Sequence, residues 1–263
     1  MTELHPKYYQ FLSDQVIEPF YKIRLDKLQS LKLTDILKRK NPYLFRAKNI
    51  EVAGDLVKSI VDAFLSSQEE TLFGNFLESF AIYVSSEIDG GFKSRLKSVD
   101  LEFRRNNIYY VVGIKLGTNW GNADQIRQML NNFKIAKALL KEQGITEEII
   151  AVNGCIYGKD GSPFKRYKDK DGNPDLDKDY YKYVGQDFWN FISQDQELYR
   201  KIIVPISQEG RQKDEIFKKA YAAKINEMTQ DFMEKFMKDN QIDWLRLVDF
   251  VSKSKTKGDI FNA

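Results

Sequence analysis

Apolar side chains at Leu12, Val16, Phe20, Ile23 and Leu28 recur at helical spacing and predict a helix over residues 7–30. Thr34-Asp35 marks a helix start before Ile36-Leu37, and Asn41-Pro42 breaks or restarts the chain. Val52, Leu56, Val57, Ile60, Val61, Phe64 and Leu65 give an amphipathic helix over 51–66, which Ser66-Ser67 is expected to end. Leu72, Phe73, Phe76, Leu77, Phe80, Ile82 and Val84 give another over 69–85, stopped by Asp89-Gly90-Gly91.

The pattern then changes. Residues 98–103 read as a short strand, and Asn106-Asn107 is a turn dipeptide that tolerates positive φ. Residues 108–116 are the strongest β run in the chain, and 117–121 form a loop. A helix over 124–143 carries Ile126, Met129, Leu130, Phe133, Ala136, Leu139 and Leu140, with Gly144 as its cap. A strand over 149–157 holds Cys155 as a small buried apolar residue. Residues 158–182 are polar and read as a long loop or hairpin insertion. Helix is expected over 188–191, helix or strand over 198–206, and helix over 211–254. The expectation is an α/β chain: a central mixed β-sheet flanked by helices, with helical N- and C-terminal regions. The division is 1–66, 67–210 and 211–263.

Composition narrows the chemistry. At 263 residues and 42% hydrophobic, the chain supports a sizeable core. One cysteine excludes an internal disulfide and a cysteine-rich zinc site. One histidine, His5, leaves little room for histidine-based catalysis. Enzymatic work would fall to carboxylates, lysines and a hard metal ion. No apolar run approaches the ~20 residues of a membrane span, and the polar start lacks a signal-peptide core. The expectation is a cytoplasmic protein with no membrane partner. A net charge of +3 is too small to imply nucleic-acid binding. Its distribution says more. Residues 22–48 hold nine basic side chains, among them Lys38, Arg39, Lys40, Arg46 and Lys48, against Asp26 and Asp35. Such an excess attracts polyanions; a solvated helix face balanced elsewhere is the alternative.

With Asn106-Asn107 as a two-residue turn, Arg105 faces Ile108. Asp100 then sits opposite Gly113 with Lys115 diagonal to it, and Glu102 faces Val111 on the same side. Gly113 is expected to leave open space beside Asp100. A carboxylate and a lysine at the end of an apolar strand suit phosphodiester chemistry. The carboxylate ligates Mg²⁺, and the lysine orients water or neutralises charge building on phosphate. A cross-strand surface ion pair is the plainer alternative.

Val99-Asp100-Leu101-Glu102, followed by Val112-Gly113-Ile114-Lys115, resembles the D…(D/E)xK core of the PD-(D/E)XK nucleases. The closer resemblance is to type II restriction endonucleases of the PmeII-like kind. It is supported by Lys40-Asn41-Pro42-Tyr43-Leu44-Phe45-Arg46-Ala47-Lys48 and by Glu70-Thr71-Leu72-Phe73-Gly74-Asn75-Phe76-Leu77-Glu78. Lys115-Leu116-Gly117-Thr118-Asn119-Trp120-Gly121-Asn122 adds a fourth match. The resemblance covers about residues 31–205. It implies a restriction-endonuclease-like core and Mg²⁺-dependent, sequence-specific cleavage of double-stranded DNA leaving 5′-phosphates. It also implies a homodimer on a palindromic site. Asp100 would bind metal, Lys115 would assist the attacking water, and Glu78, the acid ending the helix that leads into the sheet, would complete the metal shell. Gly113 departs from the pattern, because it stands where the family carries an acid. Glu102 is the second candidate for the missing oxygen; as an exposed strand acid it would instead pair with Arg104 or a lysine. The departure keeps open a non-catalytic DNA-binding protein on a decayed nuclease fold. A structure-specific repair or recombination nuclease is the other alternative.

Asn119, Trp120, Asn122 and Gln125 are candidate DNA contacts. Trp120 as a plug of its loop, and Gln125 as a helix-start residue, are the competing readings. Lys134 and Lys137 are phosphate contacts or solvent-facing. The tyrosines of the 158–182 region and Tyr183 either read base edges or belong to a surface loop.

Overall fold

The computed structural model describes residues 3–160, 163–168 and 173–254. Helix α1 (Pro6–Phe11) runs through a π-helical turn (Leu12–Ile17) into α2 (Glu18–Ser30), so the first stretch is helical as its spacing predicts. Helix α3 (Leu33–Leu37) follows. Asn41 then caps α4 (Pro42–Ala47), its side chain accepting from the amides of Tyr43 and Leu44. Helix α5 (Ala53–Asp89) is one continuous helix. The expected break at Ser66-Ser67 does not occur. Serine is only mildly unfavourable in a helix, and neither glycine nor proline stands there to stop it.

Strand β1 (Phe92–Lys93) pairs antiparallel with β2 (Leu101–Arg105), which pairs antiparallel with β3 (Ile108–Lys115). Asn106 and Asn107 both have positive φ, 51° and 62°, as a two-residue hairpin turn requires. Arg105 faces Ile108 and Glu102 faces Val111, the predicted register. Helix α6 (Ala123–Glu142) returns the chain to β4 (Glu148–Cys155), parallel to β3. Gly144 follows that helix at φ 90°, left-handed as a helix stop allows.

The 158–182 region is partly ordered into the sheet. Strand β5 (Phe164–Lys165) pairs antiparallel with β6 (Tyr180–Val184), and β6 pairs parallel with β4; residues 161–162 and 169–172 lie outside the described residues. The result is a six-stranded mixed sheet, order β1-β2-β3-β4-β6-β5. Helices α7 (Gln186–Ser193), α8 (Leu198–Lys201) and α9 (Ile203–Phe236) follow. A small hairpin of β7 (Met237–Lys238) and β8 (Gln241–Ile242) then interrupts the predicted helix, turning on Asp239 and Asn240 at positive φ, before α10 (Trp244–Ser252).

The chain forms two compact units. One comprises Met1–Glu18 with Phe73–Glu209; the other comprises Pro19–Leu72 with Gly210–Ala263. In the first, Met129, Leu130, Phe133, Ala136 and Leu140 of α6 pack on Tyr109 and Val111 of β3 and on Ile149 and Ala151 of β4. On the other side, Phe103 and Tyr110 meet Phe191 of α7 with ring centroids 5.4 and 5.2 Å apart. The second unit has its own core, with Leu28, Ile36, Phe45, Leu56, Val57, Ile60, Phe217, Phe232 and Leu247 buried together. Cys155 is fully buried in β4, as expected.

Candidate active site

The β2–β3 hairpin fixes Asp100 against the end of β3. The Asp100 amide donates to the Val112 carbonyl at 2.8 Å, extending the ladder by one residue. Its carboxylate Oδ2 accepts from the Ile114 amide at 2.6 Å, which fixes the side chain toward β3. Lys115 Nζ lies 3.7 Å from that oxygen and donates to the Ile114 carbonyl at 3.0 Å. Its ammonium also lies 5.5 Å from the centre of the Trp120 ring. Both side chains are partly solvent-accessible, so the pair is neither sealed nor free.

Glu78 reaches this cluster from α5. It lies well inside the helix, which runs on to Asp89, and does not end it as the sequence suggested. Its carboxylate lies 3.7 Å from Lys93 Nζ on β1. Burial first, and then the nearby Asp100 charge, push the Glu78 carboxyl above the usual carboxylate range; Lys93 and Lys115 oppose the shift. The structure thus brings Asp100, Lys115 and Glu78 into one charged cluster. It adds Lys93, which the sequence reading missed: β1 is two residues long, and nothing in its composition marks it as a strand.

Glu102 is placed differently. It is only 4% exposed and accepts a 2.7 Å hydrogen bond from the Tyr109 hydroxyl. It does not pair with Arg104, whose partner is Glu147 at 2.9 Å. The expected exposed acid is therefore a buried one, because Tyr109 reaches across the hairpin on the same face and α6 covers both. Among the described residues Glu102 forms no ion pair with Lys115.

The expected open space beside Gly113 is also closed. A Cβ there would lie 3.1 Å from the Ser98 carbonyl oxygen and 3.4 Å from the Phe133 ring. Ser98 itself sits at φ 60° and accepts a 2.6 Å hydrogen bond at Oγ from Asn132. Glycine is what lets the 98–100 turn and α6 close over this strand.

Among the described residues no group of three His, Cys, Asp or Glu side chains is placed to hold a metal ion. Two carboxylates nevertheless suit magnesium, which keeps several waters and takes one or two carboxylates. Glu78 is partly desolvated, with only a loose lysine partner, so the donor set present fits a hard divalent cation.

Around this cluster the other candidates divide. Asn122 and Gln125 form a reciprocal capping box at the start of α6, with hydrogen bonds of 2.9 and 3.0 Å. Trp120 is partly buried against the α6 core. Asn119 is exposed in the loop after β3. Lys137 is buried rather than solvent-facing; burial lowers its pKa, and its Nζ donates to the Asp179 carbonyl at 3.2 Å. Lys134 pairs with Asp175 at 3.4 Å. The tyrosines are largely absorbed by packing. Tyr181 and Tyr183 stack 5.8 Å apart, and Tyr167 and Tyr180 pack on the α6 core.

In the helical unit, Lys38, Arg39, Arg46 and Lys48 are exposed and Lys40 is half-buried. Lys40 donates to the Ala63 carbonyl at 2.8 Å, and Arg46 lies 5.5 Å from the centre of the Trp244 ring. Elsewhere in the basic stretch, Arg24 is neutralised by Glu69 at 2.6 Å and Asp214 at 3.5 Å. The local charge excess therefore concentrates on residues 38–48.

A protein-family model described as type II restriction endonuclease EcoO109I matches residues 8–214. No curated protein matches the chain significantly.

Proposed function

Because the chain belongs to the type II restriction endonuclease EcoO109I family, we propose that it hydrolyses phosphodiester bonds of double-stranded DNA at a specific sequence, using Mg²⁺. The observation that carries this reading is the Asp100–Lys115 pair at 3.7 Å, with the Asp100 charge close enough to act on Glu78. Asp100 and Glu78 are the residues that would hold the cation. Bound there, it would stabilise charge developing on the phosphate oxygens and lower the pKa of water. Lys115 orients the attacking water and offsets negative charge on the scissile phosphate. The water oxygen bonds to phosphorus as the bond from phosphorus to the 3′-oxygen breaks, the proton passes to that oxygen, and a 3′-hydroxyl and a 5′-phosphate result. Glu102, bonded to Tyr109, supports the hairpin from beneath.

Lys38, Arg39, Lys40, Arg46 and Lys48 contact the DNA backbone, and Asn119, Trp120, Asn122 and Gln125 line the approach to the scissile strand. The first two of those four are better placed to contact DNA than the capping pair Asn122 and Gln125. Regions 1–66 and 211–263 provide the dimer surface, with 67–210 as the nuclease core; exposed Ile216, Met233 and Leu245 support an interface in the helical unit. A two-fold dimer then presents one site to each strand of a palindrome. No helix among the described residues is long and apolar enough to cross a membrane.

Incubation of the purified chain with unmethylated phage-sized DNA and Mg²⁺ tests this on a gel. Discrete bands are expected, with 5′-phosphate ends. A smear, or preference for branched DNA, would support a structure-reading nuclease instead. Tight binding with intact DNA under both Mg²⁺ and Mn²⁺ would favour the binding-only reading that Gly113 keeps open.

A further inference from the structure

We propose that Lys93 is a second working lysine of this site: its ammonium holds the Glu78 carboxylate until a divalent cation takes that carboxylate, and then engages a DNA phosphate. The inference rests on the nuclease reading above. Strand β1 sets Lys93 beside β2, paired with Leu101, and the Ser94 amide donates to the Asp100 carbonyl at 3.2 Å. The backbone of β1 is thus tied directly to the residue that begins the site.

The two carboxylates of the cluster have matching partners. Lys115 lies 3.7 Å from Asp100, and Lys93 lies 3.7 Å from Glu78. Both separations exceed the ~2.7–2.9 Å of a charge-assisted hydrogen bond, so each pair is held by charge and not by a fixed contact. Among the described residues no other cation lies within ion-pair distance of Glu78. Two carboxylates this close repel when both are ionised, and one ammonium on each compensates. Asp100 and Glu78 would hold a divalent cation, whose charge would stand in for that of the ammoniums.

The exposures decide which partner moves. The Lys93 side chain is 71% exposed, against 25% for Glu78. Its flexible stem is anchored on an edge strand and its head is in water. The helix-borne carboxylate stays and the ammonium swings away. A lysine released at the rim of a site that receives a phosphodiester meets a phosphate.

The test uses the full chain: two measurements compare it with Lys93→Ala and Lys93→Arg, and a third is made on the unsubstituted chain. The first is Mg²⁺ and Mn²⁺ binding without DNA by calorimetry. The second is DNA affinity across a range of monovalent salt at saturating Ca²⁺, so that a divalent cation has taken the carboxylate and Lys93 is released toward the phosphate. The third is DNA cleavage by the unsubstituted chain, which tests the underlying reading. Lys93→Ala should bind the cation roughly two- to five-fold more tightly, because a competitor for Glu78 is gone. Its slope of log affinity against log salt should fall by about 1, the loss of one phosphate contact, and Lys93→Arg should keep the original slope. Unchanged cation affinity or an unchanged salt slope in Lys93→Ala, in a chain that cleaves DNA, overturns the role of Lys93 alone. An unsubstituted chain that neither binds the cation nor cleaves DNA overturns the nuclease reading and this inference with it.

Discussion

The two ends of the β2–β3 hairpin carry the same kinds of side chain and use them in opposite ways. At the turn end, Arg105 clamps Asp89 with two nitrogens and donates a 2.7 Å hydrogen bond to the Phe191 carbonyl. Asp89 is only 7% exposed there, so the pair is desolvated and its donors and acceptors are matched. At the open end, Asp100 and Glu78 each face an ammonium at 3.7 Å, and water reaches both pairs. A satisfied, buried ion pair resists exchange, because removing either partner strands a charge. A loose pair can give up its partner to a metal ion or a phosphate. The difference separates the charges that hold the fold from those available for chemistry.

The largest expected effect comes from removing the charges of the open end. Asp100→Ala or Lys115→Ala should lower cleavage by at least about 10²–10³-fold, the scale of losing one electrostatic group from a hydrolytic site. Thermal unfolding of either variant should stay close to the unsubstituted chain. Full activity in either would remove the site assignment. Arg105→Ala should do the reverse at the other end. It leaves Asp89 buried without a partner and should cost about 3–5 kcal/mol of stability by denaturant titration.

The open end was also the more legible. The apolar run of β3 and the Asn-Asn turn dictate the register, and the register alone places Asp100 next to Lys115. The long-range partners were legible only in part. Spacing puts Glu78 on a helix, but its place beside Asp100 came from the family resemblance, because the packing of that helix on the sheet is tertiary. Lys93 comes on a strand too short to show a period. Strand β6, Tyr180–Val184, was hidden in a charged segment because its pairing with β4 is tertiary. Glu102 was misjudged for a related reason. A strand acid looks exposed until the covering helix and the tyrosine across the hairpin are known.

Gly113 lies at the open end, opposite Asp100, and is packed as tightly as a residue that holds the fold. Gly113→Ala pushes a methyl toward the Ser98 carbonyl and the Phe133 ring. It should cost about 1–3 kcal/mol through overpacking, measured as a shift in the urea midpoint. Gly113→Glu, the acid of the family pattern, needs more room still and should not raise cleavage. Higher cleavage from that variant would mean that the space is open and that the chain merely lacks its acid.

The smallest expected effect lies at Glu102 and Tyr109, between the two ends. Burial and then the Glu102 hydrogen bond push the Tyr109 hydroxyl pKa up, well above the usual value near 10. The folded chain therefore favours the neutral phenol. That contribution to stability is complete below about pH 10 and is lost as the pH rises above it, because the unfolded chain ionises this tyrosine first. Between pH 9 and 11 the unsubstituted chain should lose about 1.4 kcal/mol more than Tyr109→Phe, the cost of one proton over one pH unit. Cleavage at neutral pH should change little in Tyr109→Phe, since the hydroxyl supports the hairpin and touches neither Asp100 nor Lys115 by hydrogen bond. A large loss of cleavage without a loss of stability would move Glu102 from the supporting end of the hairpin to the reacting one.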